Sequence, residues 1–419
     1  MVSVEGTPLT ASVLSPDGKR ITALDALRGL AVIGIVPMNA IAFSMPPAAY
    51  FNPRAFGGDG PLETALWAIS FLLIEDKFRT LFAMMFGAGV AMLLGKAREH
   101  PLRGHYARML VLLAIAMVHA IMLANNDVLR SYAVAGMLLP LAAGWQVRTL
   151  LWAAGAIMAA QLAVSGWFAW DWLAYWYERA SGAMVDPAAH LQAEQDYGYN
   201  PQAIAAAVER AGEGLGERMF RRLTQAPQQI SFVIASLPSA LAAMLVGVAL
   251  WRSGLLAGQW EARRALTLGA RCAAIAVPVL AGLAAWSITT GFDPIVTTAN
   301  ALVWSAPFDL LLGIGWAALA MALFGSAWRG TALVTRLAAA GRMALTNYLA
   351  TSLIFAILFM GWGLGLFAEV SRGQALLLGL IPIAAMLLWS PPWLARFRQG
   401  PAEWLWRSLS SGTRLPFKR

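Results

Sequence analysis

Residues 27–45 read LRGLAVIGIVPMNAIAFSM, a run of nineteen residues with a single charge, Arg28, near its start. An α-helix needs about 17 to 25 apolar residues to cross a bilayer, so this stretch reads as a membrane span. Nine more runs of the same kind follow: Phe78 to Gly95, Ala107 to Ala124, Val128 to Trp145, Thr149 to Trp170, Gln229 to Trp251, Leu266 to Ile288, Ala299 to Phe324, Met343 to Gly361 and Arg372 to Leu394. Of the 419 residues 59% are hydrophobic and 13% charged, against about 25% charged in soluble domains. A water-soluble enzyme and a disordered chain are both excluded. The expected fold class is all-α, a polytopic helical membrane protein of about ten transmembrane helices.

Lys and Arg in short loops collect on the cytoplasmic side of a membrane. With both termini cytoplasmic, the inner segments hold 21 of them, among them Lys19, Arg20, Lys96, Arg98 and six in the tail after Leu394. The short outer segments hold five: Arg54, Lys77, Arg79, Arg130 and Arg372. Counting Leu62 to Ile74 as an eleventh span would turn the basic N-terminal cluster outward. At 13 residues, with Asp59, Pro61 and Glu63 at its start, this segment reads instead as a helix lying laterally on the outer face.

The chain thus divides into a cytoplasmic segment 1–26, a five-span half 27–170 with the lateral helix at 61–74, an outer loop 171–228, a second five-span half 229–394 and a basic cytoplasmic or interfacial tail 395–419. The outer loop is net −3 while the remainder is +12, and it is either a solvated cap or a substrate lid. Trp170, Trp172, Tyr175, Trp176 and Tyr177 at its start read as an interfacial aromatic belt. The first 26 residues lack the features of a cleavable secretory signal, so the first span is expected to be an uncleaved signal-anchor.

The net charge of +9 does not imply nucleic acid, because that footprint needs a continuous basic surface and these residues lie in short clusters between apolar runs. The single cysteine, Cys272, excludes an internal disulfide and a Cys-based metal site. Within an apolar run it reads as packing. No zinc-binding H-E-x-x-H, G-x-S-x-G or phosphate loop occurs, and no metal is expected.

Ionisable groups in hydrocarbon cost about 2.5 to 3.5 kcal/mol on insertion scales and are functional candidates by default. At about 1.5 Å per helical residue, Asn39 and His119 share a level, about 9 and 8 Å below the outer ends of their spans. Arg79 enters the second span just after Glu75 and Asp76, and Asp127 closes the turn that follows the His119 helix. Together they read as one polar cluster near the outer surface. His119 lies within a span, whereas His100, His105 and His190 fall in loops. Its imidazole serves as a general base, oriented by Asp127 or by the Glu75 and Asp76 pair, or else it is a packing histidine bonded to a backbone carbonyl.

Asp309, about 15 Å deep and near mid-bilayer, reads either as a proton-transport group or as half of a structural pair with an arginine or backbone donors. On the inner side Asp25, Arg28, Arg108, Arg342 and Asn347 stand at span entrances. The arginines either bind the phosphates of a cytosolic cofactor or anchor helices at lipid headgroups.

Asp25 to Gly29 (DALRG), followed by Met38 and Asn39, resembles the L-D-x-x-R-G opening of membrane acyltransferases of the heparan-alpha-glucosaminide N-acetyltransferase type. Lys77 to Gly89 (KFRTLFAMMFGAG), Val118 to Ala120 with Asp127 to Leu129, Gly341 to Leu349 (GRMALTNYL) and Gly400 to Leu409 (GPAEWLWRSL) resemble the YeiB-type family of bacterial membrane proteins. The similarity runs from about Arg20 to Leu409. It implies a multi-pass protein of the bacterial cytoplasmic membrane. The wider superfamily implies transfer of an acyl group from cytosolic acyl-CoA, a co-substrate rather than a tightly bound cofactor, to an outer-face acceptor that is a glycan, a lipid or a small molecule. The acting histidine of the sugar N-acetyltransferase branch lies in the loop after the first span, but Pro46 to Gly60 contains none. The role then falls to His119 or is absent, while the asparagine of that branch maps onto Asn39. In this mechanism Arg28, Arg108 and Arg342 dock acyl-CoA, and Asn39 or Arg79 stabilises the oxyanion. The rival class is a proton-coupled transporter or exporter that uses Asp309 and His119. Membrane lipids are partners in either case, and a homo-oligomer is left open.

Overall fold

The computed structural model describes residues 21–58, 60–95 and 101–419. The first 20 residues, Asp59 and residues 96–100, which carry Lys19, Arg20, Lys96, Arg98 and His100, lie outside the described residues. The described chain is helical, with one isolated bridge between Phe397 and Lys418. In order the α-helices are α1 (Thr22–Ser44), α2 (Pro61–Leu73), α3 (Lys77–Leu94), α4 (Pro101–Met122), α5 (Leu129–Leu138), α6 (Val147–Ala180), α7 (Ala188–Tyr197), α8 (Pro201–Gly212), α9 (Leu215–Thr224), α10 (Ala226–Arg252), α11 (Ala262–Thr289), α12 (Pro294–Ala299), α13 (Ala306–Gly325), α14 (Ala332–Arg342), α15 (Ala344–Phe359), α16 (Arg372–Leu378), α17 (Leu380–Arg396) and α18 (Pro401–Ser411).

Every predicted run carries a helix, and the chain is a polytopic membrane protein. Among the described residues eight segments are long and apolar enough to cross a membrane, and α14 with α15, bent by 86° at their junction, makes a ninth when the pair is counted as one span. The tenth run, Val128 to Trp145, falls short. It holds the ten-residue α5 and one 3-10 turn over Leu139–Ala142, where Pro140 cannot continue an α-helical ladder. The helix expected to lie laterally is α2, but it joins α3 in one 34-residue apolar segment, Pro61–Leu94, broken only around Asp76, whose φ is 58°. Among the described residues the one sharply bent pair of apolar helices is α14 and α15, so α2 runs on from α3 instead of turning across it.

Without a hydrophobic driving force between helices in lipid, small residues that let backbones approach do the packing. Two reciprocal glycine contacts show this. A Cβ on Gly29 of α1 would stand 2.0 Å from the Leu337 carbonyl oxygen, and one on Gly341 would stand 1.9 Å from that of Asp25. The same holds for Gly87 of α3 against Met244 and Gly247 of α10 against Met84, at 2.2 and 2.0 Å. The motifs at Asp25 to Gly29 and Gly341 to Leu349 are therefore the two sides of one helix crossing.

The predicted end of the fifth span at Trp170 is overrun. α6 has 34 residues, about 51 Å at 1.5 Å per residue, against about 30 Å of hydrocarbon. Trp167, Phe168, Trp170 and Tyr177 stand exposed along its far half. The remainder of the expected loop is α7, α8 and α9, a small helical cap. Arg221 clasps Glu213 there through Nε and Nη2, both at 2.7 Å, and this bond holds the Glu213 carboxyl below its usual range. The tail is ordered too: α18 packs on α4, and Phe417 returns to pack against Phe397 with ring centroids 4.8 Å apart and the rings tilted by 37°.

Candidate functional site

α4 ends one turn after His119, and the chain reverses through Ala124–Asp127 into α5. The reversal brings Asp127 back against the imidazole. His119 Nδ1 lies 3.1 Å from Asp127 Oδ2, within ion-pair distance but not aligned as a hydrogen bond. The other carboxylate oxygen accepts from Leu129 N at 2.9 Å and from the Tyr348 hydroxyl at 2.8 Å. All three side chains are buried, with His119 4%, Asp127 0% and Tyr348 5% exposed. Both ring nitrogens of His119 and Asp127 Oδ2 are buried without a hydrogen-bond partner.

Tyr348 reaches this site through the two C-terminal motifs. The bend at Met343 exposes the first amides of α15, and Glu403 of α18 caps them: Oε1 accepts from Leu345 N at 2.7 Å and Thr346 N at 3.1 Å, and Oε2 from Thr346 Oγ1 at 2.5 Å. A carboxylate on free amides at a helix N-terminus is favourable. Asn347 fixes the same turn by donating to the Ala340 carbonyl at 3.0 Å and Ser390 Oγ at 3.2 Å and by accepting from Trp389 Nε1 at 2.9 Å. GPAEWLWRSL thus fixes GRMALTNYL, which in turn holds Asp127.

A second buried cluster lies around the break between α2 and α3. Lys77 Nζ is 2.7 Å from Asp309 Oδ1, and Ser305 donates to Oδ2 at 2.8 Å. Lys77 also donates to the Phe71 carbonyl. Asp309 is the fourth residue of α13, level with the first residue of α3. The candidate span is Ala306–Gly325 and not the expected Ala299 to Phe324, so Asp309 stands in the first turn of its span and not near the middle. Glu75 and Arg372 are buried nearby, and Arg372 donates to the Ala49 carbonyl.

The single polar cluster expected from the sequence is therefore two. Asp127, not Glu75 or Asp76, stands against His119. Arg79 turns away, pairing with Asp76 at 2.8 Å with its side chain 37% exposed, although its carbonyl accepts from Tyr132 at 2.6 Å. Asn39 is half-buried on α1, which packs chiefly on α14, α15, α13 and α3. It bonds to neither His119 nor Asp127. At the opposite end Asp25 pairs with Arg28 at 3.5 Å, and Arg28 lies beside Gly341 and Gly89. Arg342 donates to the Arg398 carbonyl at 3.5 Å, while the Arg108 carbonyl accepts from Trp406 at 2.7 Å. Asn347 does not join them: its amide is spent inside the α14–α15 junction, which removes it from the expected cofactor set. Cys272 is buried in the α11–α13 packing beside Gly315.

Sequence reasoning missed Tyr348, Lys77 as the partner of Asp309, and Glu403. All three lie inside the motifs quoted above, so the signal was present as motif but not as pairing. Missed as well were Arg130 and Arg222, which brace the His119 turn from outside. Arg222 Nη1 donates to the Ala120 and Ile121 carbonyls at 2.9 and 3.2 Å, and Arg130 to those of Asn125 and Asp127.

A family profile described as "Protein of unknown function (DUF418)" matches residues 250–413. The chain is 32% identical over 401 residues to "Uncharacterized protein YeiB" of Escherichia coli (strain K12), covering 94% of this chain and 96% of that one. It is 26% identical over 408 residues to "Uncharacterized protein YxaH" of Bacillus subtilis (strain 168), covering 94% of each. No solved structure matches. With similarity over nearly its whole length, the chain belongs to the YeiB-like family of multi-pass membrane proteins that carry the DUF418 region.

Proposed function

We propose that this protein is an integral membrane acyltransferase that moves an acyl group, acetyl among the candidates, from cytosolic acyl-CoA to a hydroxyl or amine acceptor at the outer face. The observation that carries the reading is the buried His119–Asp127 pair with Nε2 unpaired. Nε2 takes the proton of the acceptor as its oxygen or nitrogen attacks the thioester carbonyl. The tetrahedral intermediate then collapses, the carbon–sulfur bond breaks, and the imidazolium returns the proton to the leaving thiolate. Asp127 holds the ring and offsets its transient charge, while Tyr348 and Leu129 hold Asp127.

Acyl-CoA docks at the far end, where Arg28, Arg108 and Arg342 offer donors to its phosphates. Arg108 and His119 are eleven residues apart on α4, about 17 Å at 1.5 Å per residue, a span that a pantetheine arm threads between helices. The test is thioester cleavage of acetyl-CoA and longer acyl-CoAs by purified protein in nanodiscs. Turnover that His119→Ala abolishes is expected, and turnover unchanged by it overturns the assignment.

The Lys77–Asp309 pair favours a second reading, a proton-coupled transporter of a small or lipidic metabolite, since a buried charged pair at membrane depth is a common proton relay. That reading predicts flux that follows a pH gradient, is lost in Asp309→Asn and needs no acyl-CoA.

A further inference from the structure

The segment that follows α17 folds back on itself at the edge of a candidate span. That span, Arg372–Arg396, ends where α17 does, and the chain then passes through α18 and returns to pair Lys418 with Phe397. Arg398 N donates to the Phe417 carbonyl at 3.1 Å, Arg398 Nε to that of Lys418 at 3.1 Å, and Arg419 N to that of Arg396 at 3.3 Å. An aromatic cluster holds the return. Phe417 packs against Phe397, Trp404 and Trp393 with ring centroids 4.8, 5.2 and 6.1 Å away.

The return sets Arg396 and Arg398 beside Lys418 and Arg419, and all four are exposed. Like charges on paired segments destabilise one another. Arg414, also exposed, stands on the same return. After Leu394 the sequence has one acidic side chain, Glu403, and it is buried against the α15 amides. The segment therefore shows its cations outward and keeps its carboxylate inward.

α18 seats this patch at the level of a membrane surface. It lies along α4, where Trp406 donates to the carbonyl of Arg108, in the second turn of that candidate span. Leu405 and Leu409, one helical turn apart on α18, are 44% and 57% exposed. Exposed leucines on a short helix beside a cluster of Lys and Arg are the pattern of a segment seated in the headgroup layer. Anionic headgroups supply the charge that the return lacks.

We infer that residues 396–419 form a docking surface for the anionic lipid headgroups of the leaflet in which α17 ends. Leu405 and Leu409 enter the acyl boundary, and Arg396, Arg398, Arg414, Lys418 and Arg419 meet the phosphates. Because α18 carries Glu403, the same lipids steady the brace on α15. The surface does not depend on whether the protein transfers acyl groups.

Hydrogen–deuterium exchange of the full chain in nanodiscs tests this, comparing phosphatidylcholine alone with a mixture that contains phosphatidylglycerol. At about 1 kcal/mol for each cation near an anionic surface, one cation corresponds to about 5-fold. The amides of Arg398 and Arg419, bonded across the return, and those of α18 are expected to exchange about 10- to 100-fold more slowly with phosphatidylglycerol. The difference should vanish in about 1 M salt, where the Debye length falls to about 3 Å. Arg414→Gln, Lys418→Gln and Arg419→Gln together, made on exposed side chains so that packing is spared, should bring the two lipids level while exchange in α11 stays as it was. Equal exchange in the two lipids for the unmodified protein, or a lipid difference undiminished in the triple variant, would overturn the proposal. The same slowing from inorganic phosphate or coenzyme A in phosphatidylcholine nanodiscs would overturn it too, by pointing to a soluble anion.

Discussion

The two buried polar clusters lie close together, joined through Arg79, whose side chain pairs with Asp76 of the Lys77 cluster and whose carbonyl accepts from Tyr132 beside the His119 cluster. Around Lys77 the groups answer one another: ammonium to carboxylate at 2.7 Å, with a serine completing the second oxygen. Around His119 one oxygen of Asp127 accepts from a hydroxyl and an amide, while the other lies 3.1 Å from an imidazole neither of whose nitrogens has a hydrogen-bond partner. A buried polar atom left without a partner costs about 1 to 3 kcal/mol, so such an atom marks where chemistry or a ligand is to be sought. The ion pair of Lys77 and Asp309 clamps α3 to α13, whereas the His119 ring nitrogens stand buried without hydrogen-bond partners.

The first way to break this contrast is to cut the clamp. Lys77→Met or Asp309→Leu alone strands a buried charge and is expected to lower stability by about 3 to 5 kcal/mol, whereas the two together should be near neutral because both charges leave. Thermal unfolding in detergent distinguishes these outcomes, and a double variant as unstable as the singles would contradict the clamp.

A smaller effect is expected at the other cluster. Tyr348→Phe removes one of the donors to Asp127 while keeping the ring against His119, whose centroid is 5.4 Å away. It should cost about 0.5 to 1.5 kcal/mol and loosen Asp127, visible as a shift in the His119 ring resonances. Unchanged resonances would remove Tyr348 from the site.

The smallest effect lies at the brace. Burial pushes the Glu403 carboxyl above its usual range, and the Thr346 hydrogen bonds offset this only in part. The folded carboxyl then binds its proton more tightly than the unfolded one, so stability falls as pH rises from the ordinary carboxylate range through the raised folded value. Glu403→Gln keeps an acceptor for the Leu345 and Thr346 amides and should erase that slope, with a change under about 1 kcal/mol at neutral pH. Melting curves across pH read it directly, and an unaltered slope would assign it to another group.

The fold was legible because lipid as solvent writes its demand into composition: apolar runs such as Leu27 to Met45 and Leu266 to Ile288 have no other use. What failed was local. Pro140 shortened α5, α6 ran past Trp170 because helix and hydrocarbon need not end together, and Asp309 was placed deep in its run because the apolar stretch from Ala299 hid that α13 begins at Ala306. The site was legible as residue types, His119 and Asp127 above all, since their separation is one helix turn and a short reversal. The partners supplied by distant segments, Tyr348 to Asp127 and Lys77 to Asp309, were not, because pairing across 221 or 232 positions depends on how helices pack and leaves no spacing to read.

The most direct measurement is single-turnover acyl transfer from acyl-CoA by the protein in liposomes, comparing His119→Gln with the Lys77→Met and Asp309→Leu double variant. His119→Gln should lose about 10²- to 10⁴-fold in rate while the double variant keeps its activity. Full activity in His119→Gln, or loss in the folded double variant alone, would contradict the account.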